Sequence, residues 1–342
     1  MRYLRILTYH SLLYTMTSLG FPAKFSKDIS GVIAEYLVDP PLKLMDWIDE
    51  SKLNRRILSM NPSKGVIKLL EGNIYDWSNL SRNPNAIHIL EQNLDKIHWG
   101  FIAFNPNAGQ IIEQNMIKFK WRDLSENPGL IELLEKNQKY LDWNALSENP
   151  AAIPLLEKNP NKINWYRLCA NPKGGPLLEA RIDSITDHPI NWTYLSRNPS
   201  AINILEAYPE RIDWNVFSCN KSPDAIRLWE KNLDKINWAW LSSNPAAIEL
   251  LEHHPDKIVW WALSRNPAAV HLLQQNKDKI DWMYMSLNPN PEALRLFENN
   301  EPAQAMVHWW YLSKNPGIFV ADYTSIEYKQ QKNDYAQLIY EL

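Results

Sequence analysis

The feature that most constrains this chain is a tandem repeat of 22 residues. Aligned on asparagine, it places Asn61, Asn83, Asn105, Asn127, Asn149, Asn171, Asn198, Asn220, Asn244, Asn266, Asn288 and Asn315 in register. The steps are 22 residues, apart from two of 27 and one of 24. Eleven of these residues precede proline; after Asn220 the proline arrives as Pro223. A Trp stands six residues before each Asn, from Trp77 to Trp309, with Arg55 as the one substitute. The chain has 16 Trp and only 10 Gly, and repetition accounts for 11 of those Trp as copies of a core position. So few glycines leave little room for tight hairpins or phosphate loops.

The unit reads I-[DN]-W-x-x-L-S-x-N-P-x-A-I-x-L-L-E-x-N, which spells two short helices. The first starts at Trp. Asp or Asn precedes that position in eight units, counting Asn54 before Arg55, as in Asp76, Asn164 and Asp281, where a side-chain oxygen can cap the free amides of the first turn. An apolar residue before the cap and another at the fourth helical position, such as Ile163 with Leu168, form a hydrophobic staple. The second helix starts at Pro, with Asn as its cap. A second Asn, such as Asn93, Asn137 or Asn159, is expected as a left-handed stop.

A 22-residue hairpin cannot bury its own apolar face, but stacked neighbours can. The expected fold is therefore all-α: a right-handed or curved α-solenoid of about twelve helical hairpins. At 8–10 Å per packed helix it extends on the order of 100 Å along its axis.

Ser and Asp cap as well as Asn does, yet Asn holds every slot. Only Asn can accept from its own helix while donating to a neighbour. This predicts an asparagine ladder through Asn83, Asn105, Asn127, Asn149, Asn198, Asn244, Asn266 and their equivalents. The slot after Leu is Ser in ten units and Ala103 or Cys169 in the others, which predicts close helix approach. The Glu slot lies near a helix C-terminus, where the dipole disfavours an anion. Lys96, Lys162, Lys235, Lys257 and Arg211, five residues after their Glu, are expected partners, with a neighbouring Trp indole as the alternative.

Two regions depart from the repeat. The unit from Asn171 reads NPKGGPLLE and precedes a long step. It is either a bend between half-arrays or drift in a redundant array. A second insertion spans Asn299–Val307. The expected domains are an N-terminal extension at 1–20, F-box-like or capping helices at 21–52, the tandem repeat at 53–318 and a capping helix at 319–342. In residues 21–50, Ile29, Ile33, Tyr36 and Leu37 form a helical stripe. Pro40-Pro41 stops it, and Leu42, Leu44 and Trp47 start another helix.

The net charge is −3, which gives no support to a nucleic-acid or polybasic membrane binder. Cys169 and Cys219 are too few for a disulfide framework, so a reducing compartment is expected. Apolar content of 45% excludes disorder, and no apolar run is long enough for a spanning helix. Arg2 and Arg5 before an apolar stretch faintly resemble a secretion signal, but His10, Ser11, Thr15 and Thr17 interrupt it. There is no phosphate loop, dinucleotide fingerprint or nucleophile elbow. His253, His254 and Asp256 share one connection and read as surface residues rather than metal ligands. Neither an enzyme nor a cofactor is expected.

The array, with its DISGVIAEYLVDPPLKLMDWID leader and NPGIF terminus, resembles the W-x-x-L-S-x-N-P-x-A-I-x-L-L-E repeat proteins of giant DNA viruses that infect amoebae and algae. The likeness covers residues 25 to about 325. It implies the repeat fold and a viral origin, not a catalytic site. Within the leader, Phe25, Asp28, Ile29, Ile33, Tyr36, Leu37, Leu42 and Trp47 fall near the landmarks of an F-box, with Ser26 where an F-box usually has Pro. That resemblance implies a Skp1-type partner.

Function can sit where structure does not dictate the residue. The position after Trp varies freely and turns large at Tyr166, Trp261, Met283 and Trp310, the candidate partner-binding residues. The next position (Phe101, Tyr194, Val216, Trp240, Tyr284, Tyr311) is apolar often enough to be expected in the core. The reading is a non-enzymatic protein-binding scaffold in the virion or host cytoplasm, not secreted and not bound to membrane. Its partner and oligomeric state are left open. The alternatives are an F-box-like ubiquitin-ligase adaptor and a repeat RNA reader. The latter needs a basic stripe, but the slot before the ladder Asn holds Glu126 and Glu148 beside Arg82, Arg197, Arg265 and Lys314.

Overall fold

A computed structural model describes residues 26–70, 76–182 and 190–341. The extension at 1–20, Phe25 and Glu71 lie outside them. The chain divides into two compact units, Met45–Phe319 and a smaller one made of Met1–Leu44 with Val320–Leu342. Residues 45–52 thus belong with the repeats, eight residues earlier than the sequence placed the boundary.

The large unit is all-α, and its first helices begin where the caps predicted. Trp77–Arg82, Trp143–Glu148, Trp192–Arg197 and their equivalents each start at the repeat Trp. All eight Asp or Asn caps accept an amide of the first turn, for example Asp76 from Asn79 and Asp281 from Tyr284, both at 3.1 Å. The staple residues are buried, as in Ile163 and Leu168 or Ile212 and Phe217. The second helix begins later than expected. The ladder Asn caps a tight turn whose second amide it accepts, and the α-helix proper starts about four residues after Asn, as at Ile87 and Ile153.

The second Asn is no left-handed stop. Asn93, Asn137 and Asn159 have φ of −140°, −124° and −132°. Each instead turns its side-chain amide back onto the carbonyl four residues earlier, at 2.9 Å, and so satisfies a free carbonyl of the last turn. The one non-glycine residue with positive φ among those described is Asn299, at 56°, in the second insertion.

The repeat Trp is less buried than a core position. Among the described residues only Trp165 of the eleven is buried; the others are half-buried under a side chain from the following connection. Lys96, Lys118, Lys162, Lys235 and Lys279 lie over Trp77, Trp99, Trp143, Trp214 and Trp260 at 3.7–5.1 Å from the ring centre. In other units an aromatic takes the place, as Tyr140 does on Trp121. Lys96, Lys162 and Lys235 therefore serve the indole face rather than the Glu slot, while Lys257 and Arg211 pair with the adjacent Asp256 and Glu210. The slot's own partners lie on the next second helix, Arg227 for Glu206 and His271 for Glu252.

The ends of the array meet. Asn61, in the first unit, donates to the carbonyls of Ser313 and Asn315 in the twelfth at 3.1 and 2.9 Å. The Asn54 amide donates to Ser313 Oγ at 2.8 Å, and Lys52 lies over Trp309. These are the same kinds of bond that join neighbours along the array, so the twelve units form a closed ring. The axis of about 100 Å becomes a circumference, with a diameter of about 30 Å. The twelfth unit is composite. Its chain leaves after Ile318, and residues 45–53 complete it from the other end. The Met45 amide donates to the Ile318 carbonyl at 3.0 Å, Met45 and Ile48 are buried, and Glu50–Lys52 makes the connecting turn.

The ladder runs through the unit at Asn171, although residues 183–189 of the long step that follows it lie outside the described residues. Asn198 donates across the long step to the Cys169 and Asn171 carbonyls at 3.0 and 2.8 Å. Gly175 marks a close approach. Its amide donates to Ser200 Oγ at 2.9 Å, and a β-carbon there would stand 1.8 Å from the Ser200 carbonyl oxygen. Gly175→Ala is expected to destabilise by about 1–3 kcal/mol, measured by urea unfolding.

In the small unit, helix Lys27–Leu37 packs on helix Ile326–Glu341, with Ala34 and Ile339 at the centre and Lys332 bonded to Glu35 at 2.6 Å. Residues Leu42–Leu44 form a short strand beside Phe319–Ala321 and not the start of a helix. Leu42 cannot share a helical face with Leu37, because Pro40-Pro41 sets extended backbone between them.

Candidate partner-binding face

Two hydrogen-bond ladders hold the first helices side by side. In the first, every one of the twelve Asn residues accepts the amide two residues on and donates Nδ2 to a carbonyl of the preceding unit. Asn244, for example, accepts from Ala246 at 3.0 Å and donates to Ser218 and Asn220 at 3.1 and 2.6 Å. Asn83, Asn105, Asn127, Asn149 and Asn266 bond in the same way. All twelve are buried. The Asn oxygen and nitrogen are both used, which no carboxylate can do.

The second ladder has a sequence signal that small-residue packing overlooks: ten serines where Ala would fill the space equally well. All ten accept the backbone amide of the next unit's cap residue, at 2.8–3.3 Å. Eight also donate to the carbonyl of their own Trp. Cys169 substitutes with Sγ, 3.2 Å from the Trp165 carbonyl oxygen. Burial pushes its thiol up to about 11, so it stays protonated and is no nucleophile near neutral pH. Ser196→Ala, which leaves the Asp213 amide unpaired, is expected to cost about 1–3 kcal/mol by the same unfolding assay.

The ladders fix which side of each first helix faces outward. Counting from Trp at position 0, the Leu and Ser of positions 3 and 4 face the core, and positions 1, 2 and 5 share the opposite arc. Tyr166, Trp261, Met283 and Trp310, at position 1, are 39–45% exposed. The large side chains of position 2 are not core, although Ala145 and Ala262 there are buried. Tyr194 and Trp240 are 47% and 46% exposed, and Phe101, Val216, Tyr284 and Tyr311 are half-buried. The apolar frequency there belongs to an outward-facing aromatic row. Rings of adjacent units touch at two junctions, Tyr166 against Tyr194 and Trp261 against Tyr284. At Asn144, Thr193 and Asn215 position 1 bonds the next unit's cap residue instead.

The described F-box-like residues lie on different elements. Ile33 and Leu37 are spent on the C-terminal helix, while Ile29 is 47% exposed. Leu42 lies in a strand, and Trp47 stacks on Phe297 within the large unit at 5.0 Å. Among the described residues, no three His, Cys, Asp or Glu side chains could hold one metal ion, and no helix is long and apolar enough to cross a membrane.

Fold and face define an all-α tandem-repeat protein whose units close end to end. Compared with family models, with curated proteins and with solved structures, the chain matches none.

Proposed function

We propose that the ring is a non-enzymatic scaffold that binds a protein partner through the outward arc of its first helices. The observation that carries this reading is the exposed row of Tyr166, Tyr194, Trp240, Trp261, Met283 and Trp310. Large aromatics and Met are enriched where proteins meet, and the repeat spends its Asn, Ser and Leu slots on its own structure. The resemblance of residues 25 to about 325 to giant-virus repeat proteins favours action in the virion or the host cytoplasm. The test compares the protein with a Trp261→Ala, Met283→Ser, Trp310→Ala variant in cross-linking and capture. The expected result is a protein retained by the first and lost by the second, at unchanged melting temperature. Identical captures by both would refute the reading.

A further inference from the structure

We infer that the partner segment seated on this face is acidic with interspersed apolar side chains. The inference rests on the protein-binding reading and adds the partner's chemistry. Around the ring, positions 1, 2 and 5 hold three acidic residues, Asp123, Glu126 and Glu148, all in two adjacent units. Glu126 and Glu148 are paired there, with Arg122 and Arg167. The remaining units carry Arg56, Arg82, Arg197, Arg265 and Lys314 with no acid in those positions, although the chain as a whole has net charge −3. The cap carboxylates Asp76, Asp213 and Asp281 are turned onto amides of their own helices.

Closure makes this charge one surface. The seam sets the Trp310–Lys314 unit beside the Arg56 unit, and Arg82 follows. Residues more than 200 positions apart in sequence thereby join one basic, aromatic arc. The cations lie on the rings: Arg82 over Phe101 and Phe104, Arg265 over Trp261, Lys314 over Trp310 and Tyr311. A carboxylate reaching the cation and an apolar side chain beside the ring would both be met. Single-stranded RNA fits less well. Base stacking needs open ring faces and a cation for successive phosphates. Here three cations cover five of the rings, and several units carry no cation.

The test uses the full chain and fluorescence anisotropy of a labelled peptide in which Glu pairs alternate with Leu or Phe. A Lys-for-Glu counterpart and a U-rich single-stranded RNA run alongside. Only the acidic peptide is expected to bind, more weakly as salt rises. Arg265→Glu with Lys314→Glu should weaken it about tenfold or more, at unchanged melting temperature, while Lys136→Glu on a second helix should not. No binding of the acidic peptide, or equal binding by the double reversal, overturns the inference. RNA binding in its place assigns the face to nucleic acid. If the double reversal still captures the protein that the aromatic variant loses, the acidic assignment fails and the protein-binding reading stands.

Discussion

Asn244→Asp is expected to lower the unfolding free energy by about 3–5 kcal/mol at neutral pH, with nearly unchanged shape. The Asn244 amide nitrogen is buried between the carbonyl oxygens of Ser218 and Asn220. A carboxylate there sets a buried negative charge against two acceptors and removes the only donor. The loss must be pH-dependent, with a definite sign. Burial and facing oxygens raise the folded-state pKa of the new carboxyl above its unfolded value. The protonated form, which can donate one hydrogen bond, is favoured in the fold. Relative to the parent, the variant should therefore regain stability as pH falls and lose it as pH rises through that folded pKa. Urea unfolding across pH measures this. A neutral effect at all pH would reduce Asn to a turn cap.

Asn61→Asp is expected to cost as much as the interior change. In an open array Asn61 would sit on a terminal unit, where repeats fray and rungs are weak. In the ring it is a rung like any other, with partners 252 and 254 positions away. A loss of about 3–5 kcal/mol marks closure, whereas a loss well below that of Asn244→Asp marks a free end.

The unit was legible because each of its residues answers a local need. Cap, staple and proline set the helices, and the choice of Asn over Ser or Asp pointed to a side chain with two duties. Closure was not legible, because spacing defines neighbours but not the small rotation per unit, about 30° for twelve, on which a ring depends. One signal was present. Lys52-Leu53-Asn54 parallels Lys257-Ile258-Val259, a connection that normally follows a preceding unit, and in an open array no unit precedes it. The partner face was half legible. Free variation after Trp located position 1, but aromatic frequency alone put position 2 inside. Helical geometry places it beside position 1 instead, and Tyr194 and Trp240 bear this out in their exposure.

The central claim is that the twelve units close on themselves. The most direct measurement is the distance between spin labels at His88, in the second unit, and Pro316, in the twelfth, both exposed. The native thiols would first be removed as Cys169→Ser and Cys219→Ser. Two unit steps across the seam predict a narrow distribution at about 20–30 Å. Ten steps through an open array would give about 90 Å, and a distribution centred beyond about 60 Å would contradict the ring.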